Sequence, residues 1–165
     1  NVLIDAILEL RLSGDFAGKR VLFVGYGEQA EMLNEKINDL DLSDCCYYLG
    51  PKTHRELSEL YNQADIMIFP TMLYESLGLV GIEAMACGCP VIGSDIGCLP
   101  EYIKEGITGF LFEPGNSHEL AERIVDFYKL TEKQRNTMRL EAIRYVDKYE
   151  SRKISQALIN KIKEI

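Results

Sequence analysis

Histidine is scarce and tryptophan is absent: only His54 and His118 occur among the 165 residues. Neither lies with Cys or carboxylates at the spacing of a zinc centre, so no metal site is expected; no cofactor is expected either. The lack of Trp excludes nothing. The five cysteines are an odd number without framework spacing, and Cys87 and Cys89 form C-x-C instead of C-x-x-C. A disulfide scaffold is therefore not expected, and a reduced, cytoplasmic setting is the simplest inference. No apolar run reaches the length of a membrane span, and Asn1-Val2-Leu3-Ile4-Asp5 does not resemble a signal peptide. The chain starts without Met, inside what reads as a helix, which suits a fragment of a longer protein.

Positive charge is also in short supply, with 18 Lys and Arg against 26 Asp and Glu and a net charge of -8. Nucleic acid is excluded as a partner, because binding it needs clustered cations against phosphate. Any anionic ligand would need help from the backbone. Lys148, Arg152, Lys153, Lys161 and Lys163 do gather towards the C-terminus. They suit either peripheral contact with an anionic membrane or a solvated helix face, the second being the simpler reading.

With 47% hydrophobic and 27% charged residues the composition is that of a globular protein. A chain of this length suits one domain, which buries about 70% of its unfolded surface. Short apolar runs, Val21-Leu22-Phe23-Val24, Cys46-Tyr47-Tyr48-Leu49, Ile66-Met67-Ile68-Phe69, Val91-Ile92-Gly93 and Gly109-Phe110-Leu111-Phe112, read as strands. The first has the continuous apolar character of a strand buried on both faces. Helical patterns fill the intervals at 2–12, 28–39, 53–63, 78–88, 100–104 and 117–130, with two further helices over 131–164. Thr53 with Glu56, and Thr131 with Gln134, have the form of capping boxes. Alternation of this kind predicts an α/β fold, an open parallel sheet with helices on both faces. Ligands of such sheets bind at the carboxyl ends of the strands, which singles out the loops 25–28, 50–53, 70–78 and 94–98.

Two of these loops suit phosphate. Gly25-Tyr26-Gly27-Glu28-Gln29-Ala30 fits the G-x-G-x-x-A dinucleotide fingerprint. It equally fits a tight strand-to-helix turn, and Glu28 would put negative charge where phosphate should sit. The second is Tyr74-Glu75-Ser76-Leu77-Gly78-Leu79-Val80-Gly81-Ile82-Glu83. From Leu77 to Gly93, Glu83 is the only charged residue. A helix starting near Gly78, with Leu79, Ile82, Met85 and Ala86 against the sheet, offers free amides and a positive dipole end to a diphosphate. Glu75 then precedes that start, and Glu83 lies about 7.5 Å further along the axis. The order carboxylate, amides, carboxylate complements a nucleoside-diphosphate sugar, whose hydroxyl pairs donate to carboxylates. A dipole-favoured acid at Glu75, or an exposed strip carrying Glu83, would also account for the pair. Glycine and small apolar neighbours all round suggest instead a buried helix, in which Glu83 is expected to have a partner.

These residues resemble a known family. Phe69-Pro70-Thr71 followed by the Glu75 to Ile92 segment resembles the E-x7-E signature of family 4 (group 1) retaining glycosyltransferases, which have the GT-B fold. The similarity extends through Gly25-Tyr26-Gly27, Leu49-Gly50, Ala64-Asp65-Ile66, Ser94-Asp95-Ile96-Gly97, Pro100-Glu101 and Gly106 to Leu111. The resemblance implies that residues 1–165 are the C-terminal, nucleotide-sugar-binding half of a two-domain enzyme. It implies a UDP- or GDP-linked donor, no metal, and a glycan or lipid-linked acceptor held by the N-terminal half. Glu75 would face the donor sugar as the catalytic-site carboxylate, and Glu83 the ribose diol. Ser76 and the amides of Leu77, Gly78 and Leu79 would meet the diphosphate, Lys52 would lie by the nucleobase, and Gly25 would line the cleft floor.

The resemblance has departures. Cys98 stands where the family has a second glycine after Gly97. The family's first strand, with its basic residue and a following lysine, would precede Asn1, so this piece alone is expected to bind nucleotide weakly and transfer nothing. Two other readings are a NAD-dependent oxidoreductase built on the Gly25 turn and a non-catalytic sugar-nucleotide-binding module.

Overall fold

The computed structural model describes residues 2–149, so the second of the two expected C-terminal helices and the basic residues beyond Lys148 lie outside the described residues. The chain runs α1 (Val2–Ser13), β1 (Val21–Val24), α2 (Ala30–Asp39), β2 (Cys46–Gly50), α3 (His54–Gln63) and β3 (Met67–Phe69). It continues through α4 (Leu79–Ala86), β4 (Val91–Ser94), α5 (Leu99–Tyr102), β5 (Gly109–Phe112), α6 (Ser117–Lys129) and α7 (Glu132–Val146). Both expected capping boxes form. Thr53 Oγ1 accepts from Glu56 N while the Glu56 carboxylate accepts from Thr53 N, and Thr131 and Gln134 repeat the arrangement.

All strand pairs are parallel, as the alternation of elements requires. Their hydrogen bonds form two sheets among the described residues, β1-β2 and β3-β4-β5, instead of one continuous sheet. The three-stranded sheet is coated on both faces. Ile68, Ile92, Phe110 and Phe112 point into a core shared with α1 and α6, whereas Met67, Phe69, Val91 and Leu111 point into a second core with α4, α5 and α7. This two-residue alternation puts all four residues of β4 out of reach of water.

Val21 and Phe23 join the first core too, so the two sheets share one layer of packing. The expectation that β1 is buried on both faces is corrected: Leu22 is 46% and Val24 37% exposed, because only one face of β1 is covered among the described residues. The helix after β1 is also shorter than the 28–39 expected. It starts at Ala30 with Gln29 as N-cap, which leaves Glu28 in the preceding turn.

Candidate functional site

The loops after β3 and β4 are locked together by backbone. Cys98 N donates to Glu75 O at 3.2 Å. Gly97 sits at φ +61°, and a Cβ there would stand 2.8 Å from Glu75 O and 2.9 Å from Glu75 N. Both the conformation and the contact therefore penalise a side chain at 97. This close approach fixes where the 70–78 loop presents Glu75, before the chain turns into α4.

The turn is made at Gly78, which is the N-cap of α4 in the left-handed region at φ 60°, ψ 51°. Gly81 N donates to Gly78 O at 2.9 Å, while the amides of Leu77, Gly78 and Leu79 have no acceptor among the described residues. They form an open helix start with the positive dipole end outward. Ser76, Leu77 and Leu79 are exposed around it. The expected sheet-facing set is corrected here: Gly81, Ile82, Ala84 and Met85 are buried, but Leu79 is 59% exposed and Ala86 is exposed too. The helix is only eight residues long and packs against β3, β4 and α7, so its first residue projects towards the mouth of the loops.

Glu75 and Glu83 are both partly buried, and no side chain or amide hydrogen-bonds either carboxylate among the described residues. The expectation of a buried Glu83 with a partner is corrected: Glu83 is only partly buried, and water takes the partner's place. Its charge is felt by Tyr61 of α3. Burial first, and the Glu83 charge second, push the Tyr61 phenol up to about 12, so the phenol stays neutral.

A second group gathers at the ends of β1 and β2. Gly25 N donates to Gly50 O at 3.1 Å, and Tyr48 Oη donates to Gly25 O at 2.8 Å. Lys52 Nζ donates to Leu49 O at 2.9 Å, which folds its half-buried stem back over the end of β2. Gly25 and Lys52 are therefore brought together. Glu75, Ser76, Leu77, Gly78 and Leu79 form their own group with Gly97, and no hydrogen bond among the described residues joins the two groups. A cavity of about 500 Å³ beside Arg11, Phe16, Arg20 and Asp44 belongs to the amino end of β1, away from both. Among the described residues no cluster of three or more His, Cys, Asp or Glu could hold a metal, and no helix is long and apolar enough to cross a membrane.

Sequence reasoning missed Tyr61, the Gly97 contact and above all Tyr102, whose side chain is fully buried beneath Gly78. The available signal was chemical: a buried tyrosine must give its hydroxyl a partner. The sequence did not show that this partner lies 24 residues away.

Parallel strands between helices, with loops at their carboxyl ends built around glycine and free amides, define a Rossmann-like α/β fold. The family model "Glycosyl transferases group 1" matches residues 1–144, and the chain belongs to that family. It is 35% identical over 117 residues to N-acetyl-alpha-D-glucosaminyl L-malate synthase of Bacillus anthracis, an alignment covering 71% of this chain and 30% of that protein. It is 34% identical over 122 residues to D-inositol 3-phosphate glycosyltransferase of Mycobacteroides abscessus, covering 71% and 27%. The crystal structure of Anabaena Alr3699/HepE in complex with UDP superposes with a TM-score of 0.85 at 26% identity, over 99% of this chain and 44% of that one. The same protein in complex with UDP-glucose gives 0.83. This chain thus spans less than a third of the two curated relatives.

Proposed function

We propose that this chain is the nucleotide-sugar-binding half of a retaining glycosyltransferase. The observation that carries the reading is the pair of half-buried carboxylates without partners, Glu75 and Glu83, on either side of the open amides of α4. A nucleoside-diphosphate sugar meets this arrangement group by group. Its diphosphate lies against the amides of Leu77, Gly78 and Leu79 with Ser76 beside them, its ribose diol donates to Glu83, and its transferred sugar lies against Glu75. Hydrogen bonds to an ionised carboxylate contribute about 1.5–3 kcal/mol each. Lys52 and Gly25 line the nucleobase end of the cleft. Complexes of a 26% identical structure with UDP and UDP-glucose support a UDP-linked donor.

In this reading the leaving diphosphate collects charge at the start of α4 and, through its oxyanions, assists departure and takes the acceptor proton. Glu75 positions the sugar and stabilises positive charge developing on its ring. The remaining cations come from a strand preceding Asn1. One feature supports such a strand: β1-β2 and β3-β4-β5 are both parallel and share one core without being hydrogen-bonded to each other. The acceptor half would precede that strand, with a glycan or lipid-linked acceptor in the cytoplasm and peripheral contact with a membrane. The chain by itself is then a weak nucleotide binder without transfer activity.

The test is a titration of the full-length protein with UDP, GDP and NAD. Glu83→Gln removes one charge-assisted bond and is expected to weaken UDP or GDP binding on the order of tenfold. NAD binding that is lost in Gly27→Val, with no response to UDP or GDP, would sink the proposal. Turnover of a sugar nucleotide unchanged by Glu75→Ala would remove Glu75 from the reaction.

A further inference from the structure

Beneath the start of α4 lies a side chain outside the E-x7-E motif. Tyr102, the last residue of α5, is fully buried in the second core, and its hydroxyl donates to Gly78 O at 3.2 Å. The same hydroxyl lies 2.8 Å from where a Cβ would stand at Gly78 and 2.5 Å from where one would stand at Gly81. Two ring carbons approach the Gly81 position to 3.1 Å. Glycine at 78 and 81 therefore does more than permit a turn: it makes room for one phenol. Burial, aided by neighbouring Cys98 and Glu75, raises the phenol's pKa well above its ordinary value, so the group remains a neutral donor.

The bond has a directional consequence. The Gly78 carbonyl is the first acceptor of the helix and already takes Gly81 N at 2.9 Å. A second donor from below fixes the tilt of the Gly78–Leu79 peptide plane, and hence the direction in which the free amide of Leu79 points. Cys98 Sγ, 3.4 Å from the Gly78 Cβ position, and Phe69, at 3.2 Å, close the remaining sides. The left-handed turn at Gly78 is thus held from three directions by α5, its N-cap and β3.

We propose that Tyr102 is a positioning residue for the diphosphate. It touches no substrate and acts by holding the Gly78 turn and the amides of α4 in the orientation that receives the phosphate oxygens. This rests on the reading of α4 as the diphosphate site.

The experiment is binding of UDP, GDP, uridine and guanosine to the full-length protein and its Tyr102→Phe variant, with thermal melting as a control for folding. Phe keeps the buried ring and removes only the hydroxyl. The expected result is a loss of diphosphate affinity on the order of fivefold or more, with the affinity for the matching nucleoside unchanged. A wild-type protein that binds neither UDP nor GDP removes the site itself. A wild type that binds UDP or GDP together with a Tyr102→Phe variant that binds it equally well overturns the role of Tyr102 alone. Equal losses for nucleotide and nucleoside would mean a merely structural effect and would also overturn it. A second handle is Gly81→Ala, whose Cβ meets the hydroxyl. Its damage to UDP or GDP binding should be smaller in the Tyr102→Phe background than in the wild type, and additive losses would count against the proposal.

Discussion

Replacing Gly97 by alanine tests the lock between the two loops. An L-residue in the left-handed region costs about 1–2 kcal/mol. The new Cβ would also stand 2.8 and 2.9 Å from the backbone O and N of Glu75, atoms that cannot swing aside as a flexible side chain does. Forcing atoms into packed space adds about 1–3 kcal/mol. Gly106 is the internal control, because it has a similar φ of +69° but nothing within 4 Å of its Cβ position. Gly106→Ala should therefore show the conformational cost alone, and Gly97→Ala should exceed it by about 1–3 kcal/mol in urea unfolding. On the proposed function, Gly97→Ala in the full-length protein should in addition lower turnover with a sugar nucleotide, since admitting the methyl group shifts Glu75 and Gly97 apart. Equal destabilisation by the two substitutions would refute the contact. Full turnover in Gly97→Ala would refute its role in placing Glu75.

Two predictions concern single side chains, one on α6 and one at the end of β4. His118 of α6 hydrogen-bonds Glu9 of α1 through Nδ1 at 2.6 Å, and this bond raises its pKa above the ordinary 6.5. A raised folded-state value means that the contribution is fully present below pH 6.5 and is lost as pH rises through the folded-state pKa. Urea midpoints at pH 6 and pH 8.5 should fall further apart in the wild type than in His118→Gln, and an unchanged gap would dismiss the pair. Ser94 Oγ is fully buried at the end of β4 with no hydrogen-bond partner among the described residues. Ser94→Ala should be neutral or stabilising by up to about 1 kcal/mol, and a loss larger than that would show that the hydroxyl has work to do.

Much of this architecture was legible because it is local. The apolar runs bounded by glycine and proline gave every strand to within a residue or so, and Thr53 and Thr131 marked two helix starts because a capping box spans only four positions. The Glu75-Glu83 pair was legible for a similar reason: a lone charge in an apolar, glycine-dotted helix stands out. What was not legible depends on distant contacts. The exposure of Leu22 and Val24 depends on what covers β1, the outward turn of Leu79 depends on how α4 packs against α7, and the placing of Gly97 and Tyr102 depends on the crossing of loops from different strands. Pattern alone says which residues form a helix but not which way its first residue faces.

The open start of α4 has a consequence for how such a site drifts over generations. On the proposed function, recognition there falls to amides, which every residue but proline carries, while the side chains of Leu77 and Leu79 stand 39% and 59% exposed. On that reading those positions are free to change letters without changing the amides that a phosphate would meet. The residues that must stay are the ones that shape the backbone from outside: Gly78, which sets the turn, and Gly97, which admits its neighbour. Counting identical residues therefore understates how much of this cleft two proteins share.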